Sequence, residues 1–199
     1  NTSTSTWTVD NLSAPRGSLA AASSGTKAFF GGGFNRLSGN YLDYSSSVVD
    51  IYDATGASWT TTTLSVARQE LAATSLNGFV FFGGGYSYVS GYSDVVDIFD
   101  ANTNARTTTQ LSQPRSYLAA AAAGNKVVFA GGVFNQGLEF SDRVDIYDIV
   151  QNTWTTASLS VPRSGLAAVA IGSRIFFAGG RNYSLSQDKL SIIDIYDTN

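Results

Sequence analysis

Histidine, cysteine and methionine are all missing from this 199-residue chain. Without His and Cys there is no zinc site of the usual kinds and no thiolate or imidazole copper site. A thiol nucleophile and a Ser-His-Asp triad are excluded on the same ground. Charge is sparse as well: 12 basic against 15 acidic residues give a net charge of −3. Such a chain offers no basic surface to a phosphate backbone, so nucleic acid is not an expected partner. No apolar run approaches the roughly 18 residues of a membrane span, and no metal or cofactor is expected. The absence of Cys fits either redox compartment. The chain opens at Asn1 with neither Met nor a signal-like stretch, and so reads as a mature product or an excerpt of something longer. Low charge and many Ser and Thr lean toward an extracellular setting. The sequons at Asn1, Asn11 and Asn182 are no more than composition alone would give.

What is present is repetition. Four segments recur in fixed order. The first is Ser-x-x-Arg before Leu-Ala-Ala, with its arginines at Arg16, Arg68, Arg115 and Arg163, spaced by 52, 47 and 48 residues. An apolar tetrad closed by paired glycines follows, at Gly31-Gly32, Gly83-Gly84, Gly131-Gly132 and Gly179-Gly180, the first in a slightly shifted frame. Third comes Asp-Ile-aromatic-Asp at 50–53, 97–100, 145–148 and 194–197. Last is a Trp in a Thr-rich run, at Trp7, Trp59 and Trp154, with Arg106 in the slot of the second repeat.

Each repeat reads as four strands: a small apolar run, a second ending on glycine, a third that alternates, and a Thr-rich fourth. A helical reading of the Ala-rich run fails because Pro114 and Gly124 bracket it and Leu71-Ala-Ala-Thr-Ser is a poor helix. Four antiparallel strands at this period predict an all-β propeller built of blades.

The order of these motifs, with Trp six residues after the second Asp, resembles the kelch repeat over nearly all of residues 5–198. The final repeat stops before its Trp strand, whereas residues 4–12 look like an orphan fourth strand. We therefore expect one domain over 1–199: four blades of four antiparallel strands, closed by the N-terminal strand pairing into the last blade. The expected blades are 13–64, 65–111, 112–159, and 160–199 plus 1–12. The alternative is a slice of a larger ring.

Most repeated residues are expected to be framework. Paired glycines allow positive φ and close packing, Asp53, Asp100, Asp148 and Asp197 open turns, and the tryptophans fill the wedge between blades. The Asp pairs are poor metal ligands, because residues three apart on a strand point to opposite faces. The arginines precede the inner strands on the same end as the variable loops 34–47, 86–93, 133–141 and 181–191. Arg16, Arg68, Arg115 and Arg163 are candidates for binding, with a framework role as the alternative. The loop aromatics Tyr44, Tyr86, Tyr88, Tyr92, Phe134, Phe140 and Tyr183, together with Phe34 and Tyr41, stand among Asn, Ser and Gly as recognition surfaces do. The resemblance implies a non-catalytic binding or scaffold module for a protein partner, within a larger protein. A carbohydrate-binding propeller is the second reading, with Tyr and Phe stacking on sugar rings. The third is a carboxylate hydrolase using Glu70, Glu139 or Asp43. Relatives that hold copper or iron do so through His, Tyr or Cys, and this chain has no His or Cys.

Overall fold

A computed structural model describes residues 7–35, 44–137, 139–185 and 188–199. It contains strands and tight turns, with one 3-10 turn at Asn135–Gly137. Among the described residues no helix is long and apolar enough to cross a membrane.

Each repeat folds into one antiparallel meander. The first sheet runs Ala20–Ser24, Lys27–Gly31, Val48–Asp53 and Ser58–Thr63, from inner to outer strand. The second runs Ala72–Leu76, Phe79–Gly83, Val95–Asp100 and Arg106–Gln110. The third runs Ala119–Ala123, Lys126–Ala130, Arg143–Asp148 and Thr153–Ser158. The fourth has three strands only: Ala167–Ile171, Arg174–Ala178 and Ile193–Asp197. Two-residue turns at the far end join inner to second strands, and their glycines Gly25, Gly124 and Gly172 adopt positive φ.

The inner strands lie side by side in chain order, and their small side chains let the sheets converge. The core is three clusters, one at each junction. Between the first and second sheets, Phe29, Val49 and Ile51 meet Val80, Phe82 and Phe99. Between the second and third, Ala72, Phe81 and Val96 meet Val127, Phe129 and Tyr147. Between the third and fourth, Val128, Val144 and Ile146 meet Ile175 and Phe177. Each sheet thus has a forward face toward the next repeat and a rear face toward the previous one.

The frame shift in the glycine motif is only apparent. Gly32-Gly33, Gly84-Gly85, Gly131-Gly132 and Gly179-Gly180 are equivalent pairs, and all eight residues have positive φ. The glycines before the first two pairs, Gly31 and Gly83, stand where the later repeats carry Ala130 and Ala178.

The expected closure is not formed, and this corrects the sequence reading. Residues 4–6 of the expected strand lie outside the described residues; among those described, 7–12 join no sheet, Trp7 is fully exposed, and Ile193–Asp197 pairs only with Arg174–Ala178. The forward face of the fourth sheet is open: Val169, Ile171, Ile193 and Ile195 are 63%, 72%, 58% and 58% exposed. The N-terminal segment is held on the rear side of the first sheet through side-chain bonds rather than a ladder. Trp59 Nε1 donates to Asp10 Oδ2 at 2.7 Å, and the Ser13 amide donates to Asp50 Oδ1 at 3.0 Å. The hydrogen bond from Trp59 holds the Asp10 carboxyl below its usual range.

The candidate binding surface

The loops entering the inner strands and the loops joining second to third strands do share one end. Isolated bridges link Gly17 to Phe34, Gln69 to Tyr86, Ser116 to Val133 and Ser164 to Arg181. A second bond system crosses the repeats nearest the inner strands. The Glu70 amide donates to Ser18 O (3.0 Å), the Tyr117 amide to Glu70 O (3.0 Å), and the Gly165 amide to Tyr117 O (2.9 Å).

The four arginines lie beneath this surface rather than on it. Arg68, Arg115 and Arg163 are fully buried, and the Arg16 side chain is 1% exposed. Arg16 pairs with Asp50, and Arg68, Arg115 and Arg163 lie 2.7 Å from Asp97, Asp145 and Asp194. Each guanidinium also donates to backbone carbonyls of its own repeat, as Arg68 does to Phe82 O (3.0 Å) and Val66 O (3.1 Å). Burial pulls the Arg68 and Arg115 guanidiniums down and the facing Asp charges oppose it. Guanidiniums so committed are closed to a ligand, so the arginines are framework.

The Asp pairs divide their work. The first member of each pair meets the arginine. Asp53, Asp100, Asp148 and Asp197 instead accept the amide two residues on, at 2.9, 2.8, 2.9 and 3.2 Å. Trp59 packs on Phe30 and Tyr52, and Trp154 on Phe129 and Tyr147. Trp154 Nε1 also donates to Thr109 of the preceding outer strand at 2.9 Å. Arg106 replaces that tie by donating to Thr63 O at 2.6 Å.

The loop aromatics gather in two groups. Tyr86 lies 5.2 Å from Tyr88 and 5.0 Å from Tyr92, ring centre to ring centre, with Tyr88 exposed and the other two half-buried. Phe140 meets Tyr183 edge-on at 5.7 Å. Phe134 is half-buried, and Tyr44 is exposed at the first repeat. Tyr41 and Asp43 lie outside the described residues.

Two residues that the motif reading did not single out complete the second group. The Arg181 guanidinium sits 5.3 Å over the Tyr183 ring and 5.8 Å over that of Tyr117. Tyr117 is 40% exposed, and its hydroxyl donates to Glu70 Oε1 at 2.7 Å while Ser116 Oγ donates to Oε2 at 3.1 Å. Tyr117 holds φ +54° at the position where the last repeat has Gly165. An L-residue in this conformation costs about 1–2 kcal/mol. The available signal was variation at a fixed register: the residue before Leu-Ala-Ala is Ser18, Glu70, Tyr117 or Gly165.

Burial and the bond to Glu70 push the Tyr117 hydroxyl up to about 12. The folded state therefore favours the neutral phenol. That contribution is complete below about pH 10, the ordinary tyrosine value, and is lost as pH rises toward 12. Ultraviolet difference titration should show a late-ionising tyrosine near pH 12, and Tyr117→Phe should remove that phase alone.

As for the carboxylates proposed for hydrolysis, Glu70 is engaged by Tyr117 and Ser116, and Glu139 accepts from Asn135 at 2.6 Å. Among the described residues no three His, Cys, Asp or Glu side chains converge as a metal site would require.

Repeated four-stranded meanders, packed face to face with variable loops on one end, define the class: a chain of propeller-type blades. Residues 114–158 match the family model of the Kelch motif. That stretch is the third sheet with its entering loop, and the other repeats carry the same motif order. No curated protein matches it.

Proposed function

We propose that this chain is a non-catalytic binding module that recognises a protein partner through its loop end, as part of a larger protein. The observation that carries the reading is the group formed by Tyr117, Arg181, Tyr183 and Phe140, with Glu70 beside it. Tyr and Arg are the residues that most often dominate the energy of protein interfaces. Here they sit on a rigid support, so little conformational freedom is lost on binding. The kelch motif supports the same role, since propellers of this kind serve most often in protein interaction.

Panning a displayed peptide library on the immobilised chain tests the proposal. Enriched peptides should lose at least tenfold in affinity with Tyr183→Ala or Arg181→Ala, because truncating an interface anchor costs about 2 kcal/mol. Tyr117→Gly should weaken them as much while leaving stability within about 1 kcal/mol, since glycine suits positive φ. Peptides bound equally well by all three variants would overturn this placement of the site. A glycan-array signal lost in Tyr88→Ala, with no peptide enriched, would replace the protein partner by a carbohydrate.

A further inference from the structure

The middle junction, between the second and third sheets, differs from its neighbours at the end of the two-residue turns, away from the variable loops. Lys27, Phe79, Lys126 and Arg174 share one register position, opposite Asp53, Asp100, Asp148 and Asp197. Across the first junction Lys27 Nζ donates to Asn104 Oδ1 at 3.0 Å. Lys126 and Arg174 pair with Asp148 and Asp197 at 2.5 and 3.2 Å. The second repeat alone carries an apolar side chain there. Asp100 is left with the amides of Asn102 and Thr103.

Beside Phe79 lies a recess of about 200 Å³. Phe81 and Tyr147 are its buried base, and Phe79, Ile98 and Ile149 its half-buried walls. Thr107 and Asn152 form the exposed rim. The recess beside the first junction is lined instead by Lys27, Asp53, Thr26 and Asn102 among others, and is polar. The same place in two successive junctions has thus been given opposite chemistry.

The lining defines what the apolar recess can hold. None of its side chains is charged, so an ionic ligand would lose its water without gaining a partner. Phe79, Phe81 and Tyr147 offer ring surface to a flat apolar group. An apolar cavity of about 150 Å³ is enough for benzene, so there is room for one ring or two fused ones. One polar atom orients such a ligand. The Tyr147 hydroxyl donates to Asn152 Oδ1 at 2.6 Å, which commits its proton and leaves its oxygen free to accept. At the first junction the corresponding residue is Phe99, fully buried and without a hydroxyl.

We propose that this recess is a binding site for a small neutral aromatic ligand of one or two fused rings, which donates a hydrogen bond to the Tyr147 hydroxyl oxygen. The site lies between two complete sheets and is independent of the loop surface.

Indole titrated into the 199-residue chain, followed through the NMR methyl signals of Ile98 and Ile149, tests this. Both signals should move and saturate with a Kd of about 1 mM or tighter. Benzofuran has the same shape without the N–H. It should bind about fivefold more weakly, the worth of one neutral hydrogen bond, and Tyr147→Phe should erase the difference. Phe79→Lys gives the second repeat the type of residue its neighbours carry, so it should fold with an unchanged circular dichroism spectrum and weaken indole about tenfold or more. Ile149→Phe fills the recess from the opposite wall and should weaken indole as much, read at Ile98. It keeps the test decisive should Phe79→Lys not fold. Shifts that do not saturate, or indole binding unchanged in either folded variant, would overturn the site. A preference for indole that survives Tyr147→Phe would overturn the hydrogen bond that orients the ligand.

Discussion

Asp97→Ala should destabilise the chain by about 3–5 kcal/mol, the usual cost of removing one partner from a buried ion pair. Asp97 and Arg68 are both fully buried, 2.7 Å apart. The carboxylate also accepts the Ser65 amide at 2.9 Å and lies 3.5 Å from Arg106 Nε. Its removal leaves a guanidinium charge with no counterion and an amide with no acceptor, in a place where water cannot substitute. For a chain of this length each kcal/mol moves the melting temperature by about 2–4 °C, so the midpoint should fall by roughly 10 °C in a thermal scan. Asp194→Ala is the internal comparison. It removes the same partner from Arg163, but its side chain is 25% exposed at the open end, so water offsets part of the loss. Equal losses at the two positions would show that burial is not what makes the pair costly to break. Arg68→Met with Asp97→Leu should not recover wild-type stability either, because the carbonyls of Phe82 and Val66 lose their donor.

This ion pair also shows what the sequence could and could not reveal. Both partners belong to motifs legible at once, yet the interval from arginine to aspartate is 34, 29, 30 and 31 residues, because a variable loop lies between them. Periodicity found each residue but not their contact, and the arginines could be read as a binding set only while that contact was hidden. Strand order was legible because every strand pairs with a neighbour in sequence. The turn role of Asp53 and its equivalents is local to two residues, and it too was visible. Closure was of another kind. Residues 4–12 resemble an outer strand, and the observed path of Asp10 against Trp59 is that of an outer strand. Whether such a strand finds a sheet depends on the angle accumulated over three junctions, a quantity no local pattern encodes. The Tyr117 and Arg181 contact escaped for a similar reason, since its members lie 64 residues apart on loops of different repeats.

Gly84→Ala should cost about 2–5 kcal/mol by urea denaturation, although it adds a single methyl group. Gly84 has φ +68°, and an L-residue there loses about 1–2 kcal/mol to its own backbone. The added Cβ would also stand 2.6 Å from Arg115 O and 2.8 Å from Leu118 Cδ2 across the junction. The carbonyl cannot retreat, because it accepts the Gly85 amide at 2.9 Å, so overpacking adds about 1–3 kcal/mol. Two other glycines separate the contributions. Gly25 has φ +59° with nothing within 4 Å of its would-be Cβ, so Gly25→Ala should show the backbone cost alone. Gly179 is the counterpart of Gly84 at the open end, with φ +67° and Leu190 O as its nearest neighbour at 3.7 Å. Gly179→Ala should therefore behave like Gly25→Ala and not like Gly84→Ala.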